Sequence, residues 1–404
     1  MSNSITSQIQ PILEIENLSI SFFTRLREIP AVMDFSCSMK PGEALGLVGE
    51  SGCGKSTVIE TAAGLIPMEN GSSEISGQLI RDSEGRRGRT NFGLCLQDDC
   101  IMGDELVGER ILDAAGYDFD VASLLSKWEL DHRIHDRVAM LSGGQRRRIA
   151  LLCGLIPAMI SSEPVAILLD EPDSGLDDKS VERLVGTIRD LAAGGHSILI
   201  SSHDSRIISA ADRIIQFPFE ETKGEPEKGK FELIQTNKPI KSNIGHRLNM
   251  RTMTGLANNG IAALLTLGAM LALLEPTELE GRTLTAFILA PALTAGLCGN
   301  PIHRLSFENR AYAWWNTKSS YPPNSLFHSL IICTIITALA CSITGEIDFK
   351  LIIAGGFLGV ITEAIVGLLS HATLRLSRPN AVMIRLLTPI LLLPWALVVD
   401  NLSA

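Results

Sequence analysis

No stretch constrains this chain more than Glu43–Thr57, EALGLVGESGCGKST. Ala44–Val48 reads as a short buried strand, and Thr57–Leu65 as a helix. Between them lie Gly49, Gly52 and Gly54, then Lys55, Ser56 and Thr57. A strand, a glycine-rich loop and a helix in this order make a phosphate cradle. The glycines let the backbone curl until its N–H groups face phosphate oxygens, and the helix start adds the positive end of its dipole. Lys55 brings a point charge to the β- and γ-phosphates, and Ser56 offers a hydroxyl to Mg²⁺. The chain must therefore begin with an α/β P-loop NTPase domain.

A second site follows at VAILLDEP, Val165–Pro172. Its apolar run reads as a parallel strand buried on both faces. Carboxylates at the C-terminal end of such a strand face the ligand crevice. Asp170 suits Mg²⁺, and Glu171 suits the general-base role of polarising an attacking water.

Between these motifs stands LSGGQRRR, starting at Leu141. With Leu141, Ser142, Gly143, Gly144 and Gln145 intact, the N-terminal half resembles the nucleotide-binding domain of ATP-binding cassette (ABC) proteins. The resemblance implies roles for further residues. Gln97, in FGLCLQDD, matches the Q-loop and its metal contact. Asp177, in SGLD, matches the D-loop, and His203, in SILISSHD, the histidine that meets the γ-phosphate. Phe22 (or Phe23) stands where an aromatic ring stacks on adenine. The family closes its signature loop on nucleotide held by a second subunit, so two copies sandwich two ATP molecules. Each site then combines Lys55 and Glu171 of one subunit with Ser142 of the other, in a homodimer or with a second half-transporter.

Composition splits the chain. Only 10 of the 35 Lys and Arg and 8 of the 45 Asp and Glu lie beyond residue 244. The N-terminal part is acidic, which gives no sign of nucleic-acid binding. The eight Cys form no zinc-type spacing, and the first residues lack a signal-peptide pattern, so this part is expected in the cytosol. A polar linker over 236–250 separates the nucleotide-binding domain, 1–235, from an all-α membrane domain, 251–404. KFELIQ, Lys230–Gln235, reads as a last strand. Five spans are expected, at 255–274, 283–300, 326–344, 351–370 and 381–399, each near the ~20 residues that cross a bilayer. With the nucleotide-binding domain inside, the cytoplasmic loops carry Arg247, Arg251, Arg304, Arg310, Lys318, Arg375, Arg378 and Arg385, while EPTELEGR and GEIDF outside are acidic. That is the positive-inside pattern, and it puts the C-terminus outside an inner membrane.

This order resembles the White/ABCG half-transporters, and the membrane part loosely resembles type-two export permeases. The phosphate loop is worded most like those of peptide and nickel importers. An ATP-driven exporter of a peptide, lipid or amphipathic small molecule is the reading favoured. An importer and a non-transporting membrane ATPase in sensing or immunity are the alternatives. Two features ask for placement. In FENRAYAWWNTKSSYPPN, Phe307–Asn324, Phe307, Ala311, Trp314 and Trp315 share one helical face. That face either anchors at the membrane boundary or docks on the nucleotide domain near Gln97. Glu363 lies within an apolar span, either on a pathway or in a structural pair.

Overall fold

The computed structural model describes residues 10–23, 27–217, 220–241, 244, 247–248, 254–298, 310–317, 325–345, 347–374 and 392–402. It divides into two units. The first holds residues 1–242 together with 313–320, and the second holds 243–312 and 321–404.

In the first unit, strands β1 (Leu13–Phe23), β2 (Glu28–Met39), β4 (Asn70–Ile75) and β5 (Gln78–Asp82) form an antiparallel sheet ordered β2-β1-β4-β5. The second sheet contains β3 (Ala44–Val48), β6 (Gly93–Cys95), β7 (Ala166–Asp170), β8 (Ser197–Ser201), β9 (Arg213–Gln216) and β10 (Glu220–Lys223), in the order β10-β9-β3-β8-β7-β6. All its pairs are parallel except β9–β10. Every residue of β7 and β8 is buried, as expected for parallel strands covered on both faces. This order sets the C-terminal ends of β3, β8, β7 and β6 side by side along one edge. The cradle, His203, the Asp170–Glu171 pair and Gln97 each follow one of those ends.

Helix α1 (Lys55–Ala62) follows β3, starting two residues before the expected Thr57. Between Gln97 and the signature lie α2 (Val107–Ala115) and α3 (Val121–Lys127), with Trp128 buried behind them as core. Helix α4 (Gly143–Met159) begins at the signature. Helix α5 (Asp178–Ala193) joins β7 to β8, and the short α6 (Ser205–Ile208) follows β8.

KFELIQ does not form a strand. Single hydrogen bonds to α5 and α4 hold it instead: Lys230 N donates to Asp190 Oδ1 at 2.8 Å, and Ile234 N to Met159 O at 2.9 Å. The chain stays bound along the helical subdomain as far as Ile240, whose N–H donates to Gly116 O. The polar stretch is thus part of the first unit up to that point, held by the Asp190 carboxylate of α5, the Met159 carbonyl of α4 and the Gly116 carbonyl just after α2.

The second unit is helical. Among its described residues Gly281–Cys298, Leu326–Thr344 and Phe349–Leu369 are long and apolar enough to cross a membrane, a further apolar helix covers Thr254–Leu273, and a shorter one covers Leu392–Leu402. Five spans were expected. The first part of the fifth, with Arg385 and Pro389, lies outside the described residues, as do Arg251, Arg304, Arg375 and Arg378. Glycines set the helix packing here. A side chain at Gly355 would strike Thr337, one at Gly356 Thr334, and one at Gly359 Cys333.

Candidate nucleotide site

The loop after β3 is built by glycine. Gly54 has φ 109°, and a Cβ there would come within 2.5 Å of Ala31 O, so no other residue fits. Gly52, at φ 85°, faces open space. Within the loop the buried Lys55 donates from Nζ to Gly49 O at 2.8 Å and Glu50 O at 3.0 Å, which centres the ammonium. Ser56 Oγ donates to Asp170 Oδ1 at 2.9 Å, joining the cradle to the end of β7. Ser201 Oγ donates to the same oxygen at 2.6 Å. Burial raises the Asp170 carboxyl above its ordinary range, while the two hydroxyls pull it down.

Glu171 sits beside it with φ 44°, a left-handed backbone that costs a non-glycine residue about 1 kcal/mol or more. Its N–H is held by Ser201 O at 3.0 Å and Ser201 Oγ at 3.1 Å. Gln97 Nε2 donates to Glu171 Oε2 at 3.1 Å, and His203 Nε2 lies 3.8 Å from Glu171 Oε1. Three motifs separated in sequence therefore converge on one carboxylate. Gln97 and His203 are exposed, and Glu171 is half-buried, so the group opens to solvent.

The signature forms a capping box. Ser142 Oγ accepts from Gln145 N at 3.3 Å, and Gln145 Oε1 accepts from Ser142 N at 3.0 Å, completing the start of α4. Ser142 and Gly143 are exposed, and Gly144 packs near Gly175 O of the D-loop. Asp177 caps α5 by accepting from Ser180 N at 2.8 Å, a bond that holds its carboxyl below the usual range. Thr57 is half-buried in α1. Phe22 lies exposed near the end of β1, its ring free for stacking.

Two residues of this site were not singled out from the sequence. Ser201 ends β8 and binds both carboxylate residues. Arg147, buried in α4, donates to four carbonyls at the ends of β6 and β7. Both lie within quoted motifs, SILISSHD and LSGGQRRR, but their partners are distant in sequence.

A tryptophan pair of the first unit lies beside β6. Trp314 and Trp315, in the helix Ala311–Thr317, are buried, and Trp314 Nε1 donates to Leu94 O at 3.2 Å. The Arg110 guanidinium lies 3.6 Å from the Trp314 ring centre and 5.2 Å from that of Trp315. Leu94 is three residues before Gln97. Docking near Gln97, one of the two placements open from the sequence, is the one found for the tryptophans. Phe307 and the Pro322–Pro323 stop lie outside the described residues.

The family model described as ABC transporter matches residues 32–174. A macrolide export ATP-binding/permease protein of Psychrobacter cryohalolentis is 27% identical over 51% of this chain and 32% of its own length. The corresponding protein of Shewanella oneidensis is 32% identical over 51% of this chain and 33% of its own. A solved dimer of the ATP-binding cassette MJ0796 with ADP and Pi matches 53% of this chain at 21% identity, with a TM-score of 0.45. The chain spans about a third of the length of these curated export relatives.

Proposed function

We propose that the protein is an ATP-driven membrane transporter working as a dimer, because residues 32–174 match the ABC transporter family model and apolar helices long enough to cross a bilayer follow them. The observation that carries the reading is the convergence of Gln97, His203 and the strained Glu171 beside Lys55, Ser56 and Asp170. In this reading the cradle and Lys55 hold the β- and γ-phosphates. Glu171 takes the proton of the attacking water, Gln97 orients the carboxylate, and His203 meets the γ-phosphate. Ser56 and Asp170 present oxygen donors that suit Mg²⁺, with Gln97 as a further oxygen ligand. That ion, when bound, neutralises charge on the phosphates.

In this reading Ser142 and Gly143, exposed at the start of α4, meet nucleotide held by a second copy or a related half-transporter. Asp177 and Phe22 complete the nucleotide contacts proposed. The nucleotide domain is assigned to the cytoplasmic side and the C-terminus to the outside, on the charge of the connecting loops. Export is favoured because the matched relatives carry export in their names. The substrate class is an amphipathic small molecule, peptide or lipid.

The test uses everted membrane vesicles containing the full chain, a labelled macrolide and a lipophilic cationic dye. ATP-dependent uptake of either probe by wild type, absent from Lys55→Ala and Glu171→Gln, is the expected result. ATP-dependent release of preloaded probe reverses the direction assigned. ATP turnover with neither movement favours a non-transporting membrane ATPase.

A further inference from the structure

The ends of β6 and β7 are held together by a side chain. Their backbone pairing stops at Cys95 and Leu169. Beyond it Arg147 takes over. Its Nη1 donates to Leu96 O at 2.7 Å and Gln97 O at 3.1 Å, and its Nη2 to Asp170 O at 3.3 Å and Glu171 O at 2.6 Å. The guanidinium is planar, and its two ends serve two different strands. The side chain is buried, and the Asp99 carboxylate stands 3.9 Å away.

The effect falls on Glu171. Its backbone is in a left-handed conformation that persists only if its surroundings enforce it. Ser201 fixes the peptide before its Cα by accepting the N–H. Arg147 fixes the peptide after it by donating to the carbonyl. The same guanidinium fixes the carbonyl of Gln97, whose side chain donates to Glu171. Arg147 lies five residues after Ser142 on α4, so a shift of the signature end of that helix displaces its donors.

We propose that Arg147 is the positioning residue that sets Glu171 and Gln97 for water activation and ties that setting to the signature helix. This rests on the reading of Glu171 as general base. Arg147 itself touches neither nucleotide nor water in this role.

Lysine is the informative replacement. Its donors radiate from one nitrogen and cannot serve both strand ends. ATP hydrolysis by the purified full chain is measured for wild type, Arg147→Lys, Glu171→Gln and the double variant, with thermal unfolding alongside. Arg147→Lys is expected to lower kcat about tenfold or more while the KM for ATP moves less than about threefold, the mark of a loss confined to the transition state. In the Glu171→Gln background the same substitution is expected to lower the residual turnover no further, because the residue it positions is gone. A wild-type kcat, a raised KM at unchanged kcat, or the same proportional loss in both backgrounds overturns the proposal. If Arg147→Lys fails to fold, Arg147→Gln goes through the same measurements, and failure of both to fold assigns Arg147 to the framework instead. Normal turnover by Glu171→Gln sinks the general-base reading, separately from the outcome for Arg147.

Discussion

Trp314 Nε1 donates a hydrogen bond of 3.2 Å to Leu94 O, across 220 positions of the chain. The acceptor belongs to β6, the strand that delivers Gln97. The ring is also covered by Arg110, whose Nη2 donates to Cys100 O in the loop after Gln97. One tryptophan thus touches the strand before the Q-loop and, through Arg110, the chain after it. Trp314, Leu94, Arg110 and Cys100 all belong to the first unit.

Trp314→Phe is expected to keep most of the buried area and to lose the bond to Leu94, at a net cost of about 1 kcal/mol. Trp314→Ala also removes the face under Arg110 and is expected to cost about 3–5 kcal/mol. If the helix is a joint, the Phe variant hydrolyses ATP at close to the normal rate and moves less substrate per ATP. An unchanged ratio of transport to hydrolysis in the Phe variant makes the tryptophan an anchor only. Thermal unfolding and the two rates, measured on one preparation, decide it.

The layout of the candidate site was legible where it is local. The cradle, the Asp170–Glu171 pair and the signature are short words whose geometry is set by adjacent residues, and each lies at the strand end or helix start expected. The apolar face of Trp314 and Trp315 was visible too, but its partner is a backbone carbonyl, and carbonyls leave no trace in a sequence. Arg147 was hidden for the same reason, since all four of its acceptors are main-chain oxygens, the nearest 23 residues away. Lys230–Gln235 misled in the opposite sense. Its alternation suits a strand, but hydrogen bonds to Asp190 and Met159 take the segment elsewhere.

His196 predicts a pH dependence of stability. It is buried, its Nδ1 accepts from Val165 N at 3.2 Å, and its ring stands edge-on to Phe231 at 5.0 Å. Burial lowers its pKa from 6.5 to about 4. The unfolded chain therefore binds a proton at a pH where the folded chain does not. The stability tied to this residue is complete above pH 6.5 and is lost as pH falls from there toward 4, with uptake of about one proton on unfolding. His196→Asn keeps an acceptor close to the Nδ1 position and does not titrate. Unfolding midpoints from pH 7.5 to 4.5 should fall less steeply for it than for wild type. Parallel curves would remove His196 as the cause.

Glu363 is buried and accepts a hydrogen bond from Ser325 Oγ within the helical unit. Glutamine keeps an acceptor for that hydroxyl, whereas leucine removes it, at about 0.5–1.5 kcal/mol for the bond lost. Glu363→Leu should therefore lower the thermal midpoint more than Glu363→Gln. If the carboxylate lies on the pathway, Glu363→Gln reaches the membrane at normal levels and transports poorly. Normal transport by Glu363→Gln, with loss only in Glu363→Leu, makes the residue structural.

Cys53 offers a chemical handle on the cradle. Its Sγ lies 3.8 Å from Lys55 Nζ, and it is half-buried, lining a cavity of about 570 Å³ with Met33, Gly49, Glu50 and Phe217. A maleimide added there occupies the loop between Gly52 and Gly54, where the backbone must close around phosphate. Alkylation should therefore stop ATP hydrolysis, and ATP present beforehand should slow the modification. Cys298 is exposed, so the measurement belongs in a Cys298→Ser background. The six other thiols are buried. Whatever turnover Cys53→Ala retains should be indifferent to the reagent. Inactivation that persists in Cys53→Ala, or that ATP fails to slow, would place the sensitive thiol outside the phosphate loop.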